Sequence, residues 1–345
     1  MCKNSQIKLG ERGLWKVSRL IVFYLLELGN ILSKIIYSPQ VLSPHQGSTL
    51  LFLLYYNGYK MSVQIVTDST CDLSLETIRN LGITVIPLNI HLGSTDYLDG
   101  VDLSRDVFYD QLPSQKSFPK TAAPSAGVFA KYYNNLFEAG ASHVLSIHIA
   151  ESLSATVNIA RVGAQDLKTR SVTVLDSGQL SLGMGYLVER AAQMAKAGNS
   201  VEEILIVLKQ QMLRTYVFAS LKTLEYLKRS GRMNAAVAQI GEILKIKPLL
   251  YMNQGKSSIS KVRTQKTATE QLLSWLDQYA PYEKLAILHA GIADEAEVLR
   301  DFVKTNWPTS PVEITQITPA LGSHLGIGAL GFACVSKVGS TNESL

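Results

Sequence analysis

The chain has 345 residues, enough for two domains of ordinary size, and its 33 basic and 28 acidic side chains give a formal net charge of +5. Residues 1–60 hold seven of the basic and two of the acidic groups, so the remainder is formally neutral with 26 of each, which argues against a phosphate-backbone binder and so against nucleic acid. Cys2, Cys71 and Cys334 lie far apart, which excludes a disulfide framework or a Cys-based zinc site and points to reduced thiols in the cytoplasm.

The first apolar run, Leu20 to Leu26, resumes from Ile31 to Tyr37 but is interrupted by Glu27, Asn30 and Lys34. That is too broken for a membrane span of about 20 apolar residues, and the run from Leu50 to Tyr56 is too short. Met61 then opens Met61-Ser62-Val63-Gln64-Ile65-Val66-Thr67-Asp68, which reads as the start of an α/β chain. Residues 1–60 are therefore expected to be an extension upstream of the true initiator, Met61. The alternative is a basic amphipathic anchor at a membrane surface, giving a transient membrane contact.

From Val63 onward, short apolar runs alternate with helical patterns, the mark of a parallel α/β sheet. Strands are expected at Val63 to Thr67, Thr84 to Leu92, His143 to Ile149 and Val172 to Leu175. Helices are expected from Leu75 to Leu81, Ser104 to Leu112, Ser125 to Ala139, Leu153 to Lys168 and Leu180 to Lys196. Ser125 stands where an N-cap belongs, and Ser200 with Glu203 fits a capping box opening a helix to Leu213. The pattern then changes, with a strand at Val217 to Ser220 and a helix from Ala235 to Leu244. A hairpin follows, Lys247 to Met252 with Ser258 to Val262 around Asn253-Gln254-Gly255-Lys256. A helix from Lys266 to Tyr279, a strand from Leu285 to His289, a helix from Asp294 to Thr305 and a strand from Val312 to Gln316 complete it. The expected fold is an α/β domain over residues 61–215, followed by a smaller α+β domain over 216–338.

Three segments share one design, small hydroxyl residues at a strand end or helix start: Thr67-Asp68-Ser69-Thr70, Thr121 to Ser125, and Ser152-Leu153-Ser154-Ala155-Thr156. Any one of them is explained by ordinary capping. Together they suggest one crevice at the carboxyl ends of parallel strands, where free helix N–H groups favour an anion. Asp68 would repel an anion, but it can orient hydroxyls by accepting their hydrogen bonds. Asp176-Ser177 repeats the pattern, with capping the simpler explanation.

Lys228-Arg229-Ser230-Gly231-Arg232 sets three cations at a turn, and the guanidinium of Arg232 suits a carboxylate or phosphate. Ser323-His324-Leu325-Gly326-Ile327-Gly328-Ala329-Leu330-Gly331 contains a literal GxGxxG. The dinucleotide fingerprint needs a following βαβ unit and an acidic residue about 20 positions on. Only fourteen residues remain after Gly331, so these glycines are expected to permit close backbone approach. His324 is a donor beside an anion, a general base, or a structural histidine. His148 and His289, within apolar runs, read as core residues. No His and acidic pair has metal spacing.

With these motifs in order, the body from Val63 to about Ser336 closely resembles the DegV family. The resemblance rests on Val66-Thr67-Asp68-Ser69-Thr70, Pro119-Lys120-Thr121 to Pro124-Ser125, Leu153-Ser154-Ala155-Thr156, Tyr226-Leu227-Lys228 with Gly231-Arg232, and His324-Leu325-Gly326-Ile327-Gly328. It implies a fatty-acid-binding subunit of a bacterial fatty acid kinase, with Thr121 and Ser154 on the carboxylate and the acyl chain in a tunnel between the two domains. His324 and Arg232 would lie at the carboxylate mouth, the arginine meeting the kinase. The kinase would bring ATP and metal and make the acyl phosphate, so this chain would have no catalytic residue, cofactor or metal of its own. It departs from the family at Ala122-Ala123, Ala155 and Ser230, where Ser-Gln, Gly and Gly are usual. A rival reading is a hydrolase of acyl or phosphoryl esters, with Ser154 or Ser152 as nucleophile and His324 as base. The intact mass of the native protein is expected to match a chain that begins at Met61; a terminus upstream would favour the surface anchor.

Overall fold

Strand β1 (Val63–Asp68) is an apolar run buried along nearly its whole length, as a central parallel strand must be. The computed structural model describes residues 62–338 apart from 166, 168–169, 233–245 and 308–311. The segment 1–60 and the expected helix from Ala235 to Leu244 lie outside the described residues. The described residues form one compact unit.

Strand β1 sits between β2 (Thr84–Ile86) and β6 (His143–His148), and β7 (Ser171–Asp176) completes a parallel sheet in the order β2-β1-β6-β7. Helix α1 (Leu75–Leu81) begins on a Ser74 cap and ends at Gly82 in the left-handed region. The single strand expected from Thr84 to Leu92 is two. Pro87 breaks the run, and β3 (Asn89–Leu92) leaves for a second, three-stranded sheet with β4 (Thr95–Leu98) and β5 (Lys120–Ala122). Thr121 therefore belongs to a small antiparallel sheet, not to the parallel one.

Helix α2 (Arg105–Gln111) is capped by Ser104, and α3 (Ala126–Glu138) starts after Ser125, whose side chain makes no capping bond. Helix α4 (Thr156–Gln165) begins three residues later than expected, because Leu153 and Ser154 bond back to the Ala150 carbonyl in a turn. Helix α5 (Ser181–Lys196) is buried nearly all round over its first two turns, and it packs on strands of both major sheets. Helix α6 (Val201–Leu213) carries the Ser200–Glu203 capping box.

Strand β8 (Thr215–Ser220) opens a mixed six-stranded sheet. Helix α7 (Glu225–Arg229), the hairpin β9 (Lys247–Asn253) and β10 (Lys256–Val262), α8 (Gln265–Gln278), β11 (Tyr282–His289), α9 (Ala293–Asn306), β12 (Glu313–Gln316), α10 (Pro319–Leu325) and β13 (Leu330–Ser336) complete the chain. The strand order is β10-β9-β8-β13-β11-β12. Gln254 and Gly255 both take positive φ, as a two-residue hairpin turn requires. The layers are thus α3 and α4, parallel sheet, α5, mixed sheet, then α8 and α9, with one core shared between the sheets and two flanking ones. Cys71 and Cys334 are buried free thiols, and no helix among the described residues is long and apolar enough to cross a membrane.

The GxGxxG run, Gly326 to Gly331, follows α10 as a loop and enters β13, so its glycines serve close approach. A Cβ on Gly326 would lie 2.4 Å from the Tyr226 ring, and one on Gly331 2.1 Å from the Phe218 carbonyl oxygen. Backbone cannot yield as a side-chain tip can. Gly331→Ala is expected to lose about 1–3 kcal/mol of stability, read as a lower urea midpoint at unchanged slope.

Buried acids fix the loops that leave β1. Asp99 accepts from the Ser69 hydroxyl at 2.7 Å, and Asp72 accepts from the Ser181 hydroxyl at 2.5 Å and the Thr318 N–H at 2.7 Å. Burial pushes the Asp99 carboxyl up to about 7, against the lowering effect of Ser69. A group raised in the folded state contributes stability that is complete below its unfolded value, near 4, and lost as pH rises through the folded one. The parent protein is therefore expected to lose more stability between pH 5 and pH 8 than Asp99→Asn, measured by urea unfolding at each pH.

Candidate functional site

One cavity, partly open to solvent, lies between the parallel-sheet half and the mixed-sheet half, with a volume of about 1170 Å³ including its open side. Its walls are largely apolar, from Leu88, Ile149, Leu153, Val217, Leu250, Met252, Ile259, Leu288, Ile317, Leu321 and Leu325. Thr121, Ser154, Arg232 and His324, drawn from four separate segments, line this same cavity together with Thr70. The three hydroxyl segments do converge, although Thr121 arrives from the small antiparallel sheet.

Thr121 is held in β5 by its register with Ile90. Its Oγ1 lies 2.8 Å from His324 Nε2, on the last turn of α10. Burial first, and then the Arg232 guanidinium, push His324 down to about 4, so the ring is neutral at neutral pH. Its Nδ1 is buried without a partner among the described residues.

Ser154 lies in the turn between β6 and α4. Its Oγ accepts from the Thr156 N–H at 3.3 Å and lies 2.8 Å from the Thr156 hydroxyl, so Thr156 orients it. Ser152 faces away and donates to the Gly255 carbonyl at 2.8 Å, fastening the hairpin turn to this loop. Ala155 is exposed, so its extra methyl group points away from the buried side of the loop.

Arg232 follows α7, where Gly231 takes positive φ and Ser230 a right-handed helical conformation. Serine in place of the usual glycine thus costs this turn nothing in backbone conformation. Arg229 stacks over the Phe118 ring at 4.4 Å, and Phe118 meets Tyr226 edge-on, which ties the turn to the segment leading into β5. Arg232 itself is exposed and donates to the Ser230 carbonyl.

Behind Thr70 lies a hydrogen-bonded chain that sequence alone does not connect. Asp68 Oδ1 accepts from the Thr70 N–H at 3.0 Å and the Thr70 hydroxyl at 2.5 Å. Oδ2 accepts from the Ile149 N–H at 3.1 Å and meets His148 Nδ1 at 3.0 Å. His148 Nε2 continues to Ser146 at 2.7 Å, which accepts from the Tyr133 hydroxyl at 2.9 Å. Burial raises the Asp68 carboxyl, yet the bond and charge of His148, with the bonds of Thr70 and Ile149, outweigh it and hold the group below the usual carboxylate range. His148 is thus a core residue with a partner, as its setting in an apolar run indicates. His289 is likewise buried and accepts from the Ile292 N–H. Asp176 caps the turn to Gly178 at 2.9 Å.

The cavity can hold an apolar molecule that carries a polar group. A hydrolytic pair is not assembled: Ser154 pairs with Thr156, and His324 with Thr121.

A family model described as "Uncharacterised protein, DegV family" matches residues 62–337. A DegV domain-containing protein of Deinococcus radiodurans is 39% identical over 279 residues, covering 79% of this chain and 98% of its own. One from Halalkalibacterium halodurans is 32% identical over 275 residues, 79% of this chain and 97% of its own. Among solved structures, a DegV family protein of Thermus thermophilus, described as fatty acid binding, is 33% identical with a TM-score of 0.73, covering 80% of this chain and 100% of its own. DegV of Bacillus subtilis, described as a fatty acid binding protein, is 28% identical with the same TM-score and the same coverage. The chain belongs to the DegV family.

Proposed function

We propose that this protein binds a long-chain fatty acid, with the acyl chain in the apolar cavity and the carboxyl group at Thr121 and Ser154. The observation that carries this reading is the placement of Thr121, Ser154, His324 and Arg232 on one largely apolar cavity. The described fatty acid binding of the Thermus thermophilus and Bacillus subtilis relatives supports it. Each buried CH₂ contributes about 0.8 kcal/mol, so the tail supplies the affinity and the polar end need only orient the head group.

The hydroxyls can act as donors. With its proton on Nε2, His324 donates to Thr121, which leaves the Thr121 proton for a ligand oxygen. Thr156 likewise satisfies an acceptor site of Ser154, whose own proton is then free for the ligand. The acyl chain would lie in a tunnel between the two halves.

The resemblance to a fatty acid kinase subunit extends the reading to a partner. That kinase would supply ATP and metal and convert the presented carboxylate to an acyl phosphate. Arg232, exposed at the cavity, is the side chain proposed to meet it. The ester hydrolase reading gains nothing from the geometry, since Ser154 has no histidine partner.

Protein purified from a bacterial host is expected to release fatty acid on organic extraction, seen by mass spectrometry. Thr121→Val with Ser154→Ala removes two hydrogen bonds to the head group, worth about 0.5–1.5 kcal/mol each, and should weaken binding about tenfold. Folded protein that yields no lipid and takes up none on addition would overturn the reading. Arg232→Ala should retain fatty acid while acyl phosphate formation with the kinase falls; unchanged turnover would remove Arg232 from the partner contact.

A further inference from the structure

Thr70 lines the same cavity, is only 2% exposed, and differs in kind from Thr121 and Ser154. Its hydroxyl lies 2.5 Å from Asp68 Oδ1. A carboxylate offers about four lone-pair sites, and here all are engaged: by the Thr70 N–H, the Thr70 hydroxyl, the Ile149 N–H and His148 Nδ1. Asp68 thus has no room for a proton of its own. The Thr70 hydroxyl must donate to it, and only lone pairs remain on Thr70 Oγ1 for whatever enters the cavity.

An acceptor at this place has a chemical consequence. A carboxylate has no hydrogen to give it and would be repelled, both by Thr70 Oγ1 and by the Asp68 charge behind it. A carboxylic acid has one hydrogen, and its carbonyl oxygen can take the Thr121 and Ser154 protons. Resting on the fatty acid reading above, we propose that Thr70, locked by Asp68, is a further head-group residue that accepts the acid proton, so that the ligand rests in the cavity as the neutral carboxylic acid.

The charged and titratable groups around this end fall on several elements. Asp68 lies at the end of β1 and Asp72 on the loop after it, with Arg105 of α2 at 3.7 Å from Asp72. Asp99, after β4, accepts from the hydroxyl of Ser69 beside Thr70. His148 stands on β6, His289 on β11, where it also lines the cavity, His324 on α10 and Arg232 after α7. Arg232 favours the carboxylate and is exposed. Asp68 opposes the carboxylate and is wholly buried, where charge is screened least.

The test uses the full chain, delipidated and loaded with oleic acid carrying ¹³C at the carboxyl carbon, whose resonance is followed across pH. The bound carboxyl is expected to titrate about one to three pH units above the ordinary carboxylate range. Thr70→Val, nearly the same shape, should bring the midpoint down by about one unit, and Thr70→Ser should restore it. A parent midpoint within or below the ordinary range overturns the proposal with no substitution needed, as does a Thr70→Val midpoint equal to the parent's. Absence of any bound resonance overturns the fatty acid reading itself, which separates the two failures.

Discussion

A carboxylate with no access to water must be met by donors from every side, and Asp68 draws together the parts of the fold that frame the cavity. Its four bonds tie the end of β1 to the end of β6 and reach 80 residues along the chain to His148. Losing one of these hydrogen bonds to a buried charge typically costs about 1.5–3 kcal/mol. The loops leaving these two strands carry Thr70 and Ser154, so the group that fixes the strand ends also fixes the hydroxyls. Satisfying Asp68 and placing the polar end of the cavity are one problem with one solution.

The opposite side of that end depends on a contact between distant segments. Thr121 and His324 are 203 residues apart, and their bond joins the small antiparallel sheet to the last turn of α10. His324 stays neutral there because burial and Arg232 both disfavour its charge. A neutral ring can pass a hydrogen bond to Thr121 without adding a charge to the cavity. Beyond these residues the walls are largely apolar, with Ser181, Ser257, Ser258 and His289 among them, and come from both halves, with α5 buried between the two sheets. On the proposed reading the arrangement would separate two tasks: apolar burial would hold a ligand, and a few hydroxyls would orient it.

The parallel strands and most helices were legible because their apolar periodicity is strong and their caps are ordinary, as at Ser74, Ser104 and Ser200. What escaped was mostly short or hidden, except the seven-residue buried strand Leu330–Ser336, whose apolar run was read only as part of a glycine motif. Strands Thr95–Leu98 and Lys120–Ala122 have four and three residues and little apolar character, so only their pairing with Asn89–Leu92 defines them. Pro87 in the run from Thr84 was a signal for the break that the apolar pattern masked. Helix Pro319–Leu325 is disguised by Gly322 and Ser323, yet Pro319 at its first position was a readable start. Of the site, Thr121, Ser154, Arg232 and His324 followed from motifs. The role proposed for Thr70 did not, because it rests on Asp68 being saturated by partners up to 81 residues away.

The central claim is that hydroxyls at one end of an apolar cavity orient a fatty acid by its carboxyl group. A crystal structure of the full chain with oleic acid tests it most directly. The account predicts the carboxyl oxygens within about 3.2 Å of Thr121 and Ser154 and the acyl chain along the apolar walls between the two sheets. A ligand seated outside the cavity, or with its carboxyl group away from both hydroxyls, would contradict it.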